Sequence, residues 1–152
     1  MKVNWKLLKI GVKSQTSGLK FIIMNLESPR VPTNKTDEEL FDFLSEVSNF
    51  RQIMPESTEK FEAGEDSFLF ALKGMPEIRL KMLEKIPNDK IILGSASDKF
   101  PFTLTGNINK TDTGSSEIQL VFEGSFNPMM VMMIKGPLQK FINTLAANLE
   151  KL

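Results

Sequence analysis

Cysteine, histidine and tyrosine are all absent from this 152-residue sequence. Without cysteine there is no disulfide framework, no thiolate metal site and no cysteine nucleophile. Without histidine the commonest general base, the commonest zinc ligand and the usual partner of a serine nucleophile are missing. Carboxylates, lysine, arginine, serine and threonine remain. Gly-rich phosphate loops, paired metal carboxylates on one helix face and a serine nucleophile elbow are missing as well. No catalytic residue, metal site or cofactor is therefore expected. No apolar run approaches the ~20 residues of a membrane-spanning helix, so stable membrane insertion is not expected. At the N-terminus Lys6 and Lys9 interrupt the apolar residues, and no small-residue cleavage site follows. These absences imply a cytoplasmic protein.

Net charge is zero, but the charge is unevenly placed. Residues 1–20 carry Lys2, Lys6, Lys9, Lys13 and Lys20 and no acid. Removing those five from the 19 basic residues leaves 14 against 19 acidic ones in the rest of the chain. A mildly acidic body lacks the clustered positive charge that displaces counterions from a nucleic acid, so no nucleic-acid partner is expected. Residues 1–19 read as a basic N-terminal extension; Trp5, Leu7, Leu8, Ile10 and Val12 among the lysines also fit a short amphipathic element at a membrane surface. Residues 20–152 suffice for one domain with a substantial core.

In that domain the organising stretch is residues 127–152. Met130, Ile134, Leu138, Phe141, Leu145, Leu149 and Leu152 recur in steps of three and four, one face of a long amphipathic helix. Such a stripe has to be buried, and the apolar face of a sheet is the available partner. Residues 19–31 read as a first strand. Thr36 followed by Glu39 is a capping box opening a short helix that buries Leu40, Phe41, Phe43, Leu44 and Val47. A second short helix, 50–54, stops at Pro55. Six strands follow, at 58–63, 67–73, 77–86, 90–97, 100–109 and 115–126, separated by turn residues at the spacing of an antiparallel meander.

One strand, two short helices, a run of about six strands and a long C-terminal helix resembles the START/SRPBCC superfamily, in its polyketide cyclase and coenzyme Q-binding-like branch. The residues that carry the likeness run from Glu38-Glu39-Leu40-Phe41 through Ser48-Asn49-Phe50 to Met54-Pro55. The resemblance implies an α+β helix-grip fold, with a curved antiparallel sheet of about seven strands wrapped around the C-terminal helix. It also implies a pocket between the two for an apolar small molecule such as a lipid, quinone or polyketide. Members of the superfamily include cyclases and hydrolytic enzymes, but this chain lacks the histidine and tyrosine that their acid–base chemistry tends to use. Binding or carriage of an apolar molecule is the expected function; a cyclase- or hydrolase-like enzyme and a packed interaction module without ligand are the alternatives. The oligomeric state stays open between monomer and homodimer.

On this reading the candidate ligand-binding residues are Phe68, Phe70, Leu80, Met82, Leu93, Phe102, Leu104, Leu120 and Phe122 on the strands, with Met129, Met133 and Phe141 on the helix. Met129 and Met133, one turn apart, are the pair expected over the pocket; the same methionines also read as core filler. Ser95, Ser97, Thr105 and Glu84 are the polar candidates among alternating strand positions. Glu84 shares parity with Ile78, Leu80, Met82 and Ile86, so inside the core it would need a partner such as Arg79; alternatively it is solvated where the strand leaves the core. Gly136-Pro137 within the helical pattern implies a bend.

Overall fold

A computed structural model describes residues 21–96 and 101–152. The proposed extension at 1–19 and the candidate Ser97 lie outside the described residues. Strands β1 (Ile22–Glu27) and β2 (Val31–Thr33) come first, then helix α1 (Asp37–Ser45) and a 3₁₀ helix (Val47–Ile53). Strands β3 (Thr58–Ala63), β4 (Ser67–Leu72), β5 (Ile78–Ile86), β6 (Lys90–Ser95), β7 (Phe102–Lys110) and β8 (Ser116–Phe126) follow, and helix α2 (Pro128–Glu150) closes the chain. Among the described residues they form one antiparallel eight-stranded sheet in the order β1-β8-β7-β6-β5-β4-β3, with β2 also paired to β8. The sheet curves around α2, which is the helix-grip arrangement.

The eighth strand arises because the first expected strand is broken. At Ser28 the backbone N–H still donates to the Leu120 carbonyl at 2.8 Å, but the Leu120 N–H donates to the Ser28 hydroxyl at 2.9 Å. A side chain thus replaces one rung of the ladder, Pro29 follows without an N–H to give, and the chain re-enters the sheet as β2.

The two helical motifs form as their residues dictate. Thr36 accepts from the Glu39 N–H at 3.0 Å while the Glu39 carboxylate accepts from the Thr36 N–H at 2.9 Å, so α1 opens on a complete capping box. Asn127 caps α2, accepting from the Met130 N–H at 2.8 Å, and Pro128 occupies its first turn where no donor is needed. Ile134, Leu138, Phe141, Ile142, Leu145, Ala146 and Leu149 of α2 are buried against the sheet, the larger of them worth roughly 1.5–3 kcal/mol apiece by area. Two amides pin the helix: Gln139 donates to the Glu27 carbonyl at 2.9 Å, and Asn148 to the Ile53 carbonyl at 2.9 Å. Pro137 lies inside α2, which continues through it.

Candidate ligand-binding cavity

The interior under α2 divides into two ends. At one end α1 and the 3₁₀ helix push Leu44, Phe50 and Ile53 between the sheet and the last turns of α2. Only about 10 Å³ is left there among Leu93, Leu104, Leu120, Leu145 and Leu149, no more than one water could occupy. At the other end, among the described residues, nothing equivalent fills the space beneath the first turns of α2. A cavity of about 110 Å³ lies there, comparable with engineered apolar cavities of ~150 Å³ that stay dry and take up benzene or xenon.

Two aromatic groups wall the cavity. Phe70 of β4 and Phe141 of α2 stack with ring centroids 5.0 Å apart. Opposite them Phe102 and Phe122 lie 4.9 Å apart and Phe122 and Phe126 6.1 Å apart, a row across β7 and β8. Leu80 and Leu104 contribute from the sheet, and Met130, Ile134 and Leu138 from the helix. Gly124 shares the inward parity of Phe122 and Phe126; a Cβ there would come within 2.8 Å of the Phe102 Cβ and 2.7 Å of the Phe126 ring. Only a glycine lets the aromatic row close up.

Polar lining is sparse: Ser95 on β6, and Glu77 and Arg79 on the exposed rim. Lys60 donates to the Glu77 carboxylate at 3.0 Å, and that hydrogen bond and charge hold the Lys60 pKa above the usual lysine range. Arg79 donates to the Ser67 hydroxyl at 3.4 Å. The exposed residues Pro76, Glu77 and Arg79 mark this side as the mouth, and Met75 and Met130 also line the cavity. Chemically, the walls can exclude water and bury apolar area; among the described residues the charged groups of the lining, Glu77 and Arg79, stand at its exposed rim.

Of the residues expected at a pocket, the fold brings Phe70, Leu80, Phe102, Leu104, Phe122 and Phe141 together around the cavity. Ser95 joins them, and Thr105 pairs with Ile92 and Val121 on the outer face. Phe68 lies behind the lining, stacked with Phe50 at 4.9 Å and Phe61 at 5.3 Å and with its ring 5.9 Å from that of Phe70. Leu93 and Leu120 border the packed end, and Met82 is half-buried opposite Leu93.

Glu84 is exposed on the outer face, so of its two readings the solvated one holds and parity does not, for a definite reason. The register slips between Met82 and Glu84, so Met82 opposes inward Leu93 whereas Glu84 opposes outward Ile92. Leu83 is the extra residue of a β-bulge, and one extra residue reverses the alternation beyond it. Met129 and Met133 are 72% and 63% exposed, on the side of α2 away from the sheet; Met130 and Ile134, one position on, face the cavity instead. Sequence reasoning placed Ile134, Leu138 and Phe126 in the core or on a strand without assigning them to the site, although the helical stripe carried that signal. Met75 and Pro76 come from a turn and gave none.

Solved structures share this architecture. Norcoclaurine synthase from Thalictrum flavum, in complex with dopamine and hydroxybenzaldehyde, aligns over 91% of this chain and 94% of its own, with a TM-score of 0.63 and 12% identity. The di-domain ARO/CYC protein StfQ of the steffimycin biosynthetic pathway aligns over 85% of this chain and 50% of its own (TM-score 0.65, 10% identity). Major latex-like protein 151 from Panax ginseng aligns over 85% and 96% (TM-score 0.61, 7% identity). No family model matches the chain, and no curated protein matches it in sequence. The chain shares the helix-grip fold with these proteins, and at 7–12% identity the likeness is one of fold.

Proposed function

We propose that this protein binds and carries an apolar small molecule in the cavity between the sheet and the first half of α2. The observation that carries the reading is the unfilled space itself, walled by five phenylalanines and aliphatic side chains with one serine inside. Burial of ligand area at roughly 25 cal/mol per Å² supplies the affinity, less the cost of ordering ligand and side chains. As it stands the cavity accommodates a single ring or a short acyl segment. Typical ligand pockets are larger, about 300–1,000 Å³, so a lipid, quinone or polyketide enters with outward movement of Met75 and Met130 at the mouth; methionine side chains adapt well to such a change. Glu84, the group on which an enzymatic alternative depended, lies across the sheet from this space.

The test is a titration with the neutral fluorophore N-phenyl-1-naphthylamine, on the full chain and on Ile134→Trp and Met130→Trp. Both substitutions put an indole into the cavity, one deep and one at its mouth, and thermal unfolding checks that each remains folded. Saturable one-to-one binding, weakened about tenfold or more in a folded variant, is expected, since a filled cavity forfeits the burial term. Unchanged affinity in both folded variants would overturn the assignment.

A further inference from the structure

Among the described residues the cavity lining contains three polar residues, Glu77, Arg79 and Ser95, and the sheet sorts them by face. Arg79 alternates with buried, inward Leu80 and donates to the Ser67 hydroxyl at 3.4 Å. Ser67 opposes Lys81, next to the inward pair Phe68 and Leu80, so it lies on the outer face and holds the guanidinium there. Lys60 opposes Ala71, which stands between inward Phe70 and Leu72. Its 3.0 Å hydrogen bond draws the Glu77 carboxylate to that same outer face. Both charges turn away from the space they border.

Ser95 faces the other way. It opposes inward Leu80 and shares the parity of inward Leu93, while Gly94 between them lies under the exposed Leu83. Its half-buried hydroxyl thus belongs to a wall of phenylalanine and aliphatic side chains. A hydroxyl offers one donor and two acceptor positions, so it can serve a ligand in addition to a partner in the protein. An ion against the same wall would give up hydration with no opposite charge to replace it, a far larger penalty than a neutral hydroxyl or carbonyl incurs. We infer that Ser95 is a specificity-determining residue: the cavity takes neutral molecules with one hydrogen-bonding group set against this hydroxyl, in preference to carboxylates and ammonium ions. The inference rests on the ligand-binding reading above and narrows it to one chemical class.

Displacement of bound N-phenyl-1-naphthylamine at pH 7 tests it, with ethylbenzene, neutral 4-ethylphenol and the 4-ethylbenzoate anion as single-ring competitors. The natural sequence, Ser95→Ala and Ser95→Thr are compared, each checked for folding by thermal unfolding. The natural sequence is expected to bind 4-ethylphenol about tenfold or more tighter than 4-ethylbenzoate. Ser95→Ala should weaken 4-ethylphenol by about three- to tenfold, the worth of one hydrogen bond, and leave ethylbenzene unchanged. Ser95→Thr keeps the hydroxyl and should keep the difference between those two ligands. The inference is overturned if the anion binds as tightly as the phenol. It is equally overturned if Ser95→Ala weakens ethylbenzene and 4-ethylphenol alike, since the serine then acts only through the fold. In both of these cases the fluorophore still binds and the cavity reading stands. A fluorophore that does not bind the natural sequence removes that reading and this inference together.

Discussion

Gly124 shows how a single residue shapes the cavity. The Phe102 Cβ that an added methyl group would meet is fixed to the backbone of β7 and cannot swing aside. Gly124→Ala should therefore strain the Phe102–Phe122–Phe126 row and cost about 1–3 kcal/mol as overpacking, read as a lower midpoint in urea, with weaker fluorophore binding alongside. Glu84 gives the opposite expectation. Exposed on the outer face, Glu84→Gln should change stability by less than about 0.5 kcal/mol and leave fluorophore affinity unchanged; a large loss of affinity would place it in the site after all. The sequence was readable at Leu80 and Phe122 because alternation holds around them, on β5 as far as Met82 and along β8 through Phe122, and at Phe70 because it falls within the buried run of β4. At Glu84 parity alone misled and the solvated alternative held, because a bulge has no signature in the apolar pattern: Leu83 reads as one more strand residue, yet it reverses every position after it.

Among the elements, those with local causes were the most legible. The Thr36–Glu39 capping box and the three-and-four stripe of α2 both depend on residues within a turn or two of each other, and both occur as read. Thr36→Ala should cost about 1 kcal/mol of stability by removing the cap. The break between β1 and β2 was illegible, because the Ser28 hydroxyl takes its meaning from Leu120, far away in sequence. In α2, Gly136 has open space around its Cα and no need of a left-handed conformation. Gly136→Ala should then stabilise the protein by about 0.5–1 kcal/mol, measured by urea unfolding. If the Gly136-Pro137 step also lets the first turns swing outward, the same change slows fluorophore entry in stopped-flow traces while leaving the equilibrium affinity in place.

For the whole molecule, pattern and element order sufficed for the helix-grip architecture, since a long apolar stripe and a meander with one apolar face leave few ways to bury both. The vacancy was beyond pattern. Side-chain volumes do not reveal that Leu44, Phe50 and Ile53 fill one end of the interior while the other stays open, because that depends on where α1 and the 3₁₀ helix land on the sheet. The interior therefore differs along α2: its C-terminal half packs against a filled core, and its N-terminal half borders the cavity in which ligand binding is proposed.

Native mass spectrometry of the purified full chain, before and after organic extraction, tests the central claim most directly, with Ile134→Trp alongside. A mass excess corresponding to one apolar molecule, removed by extraction, regained on adding the extract back and absent from the folded Ile134→Trp variant, is the expected result. Bare-chain mass in both proteins, with no neutral apolar compound retained by either when added in excess, would contradict it.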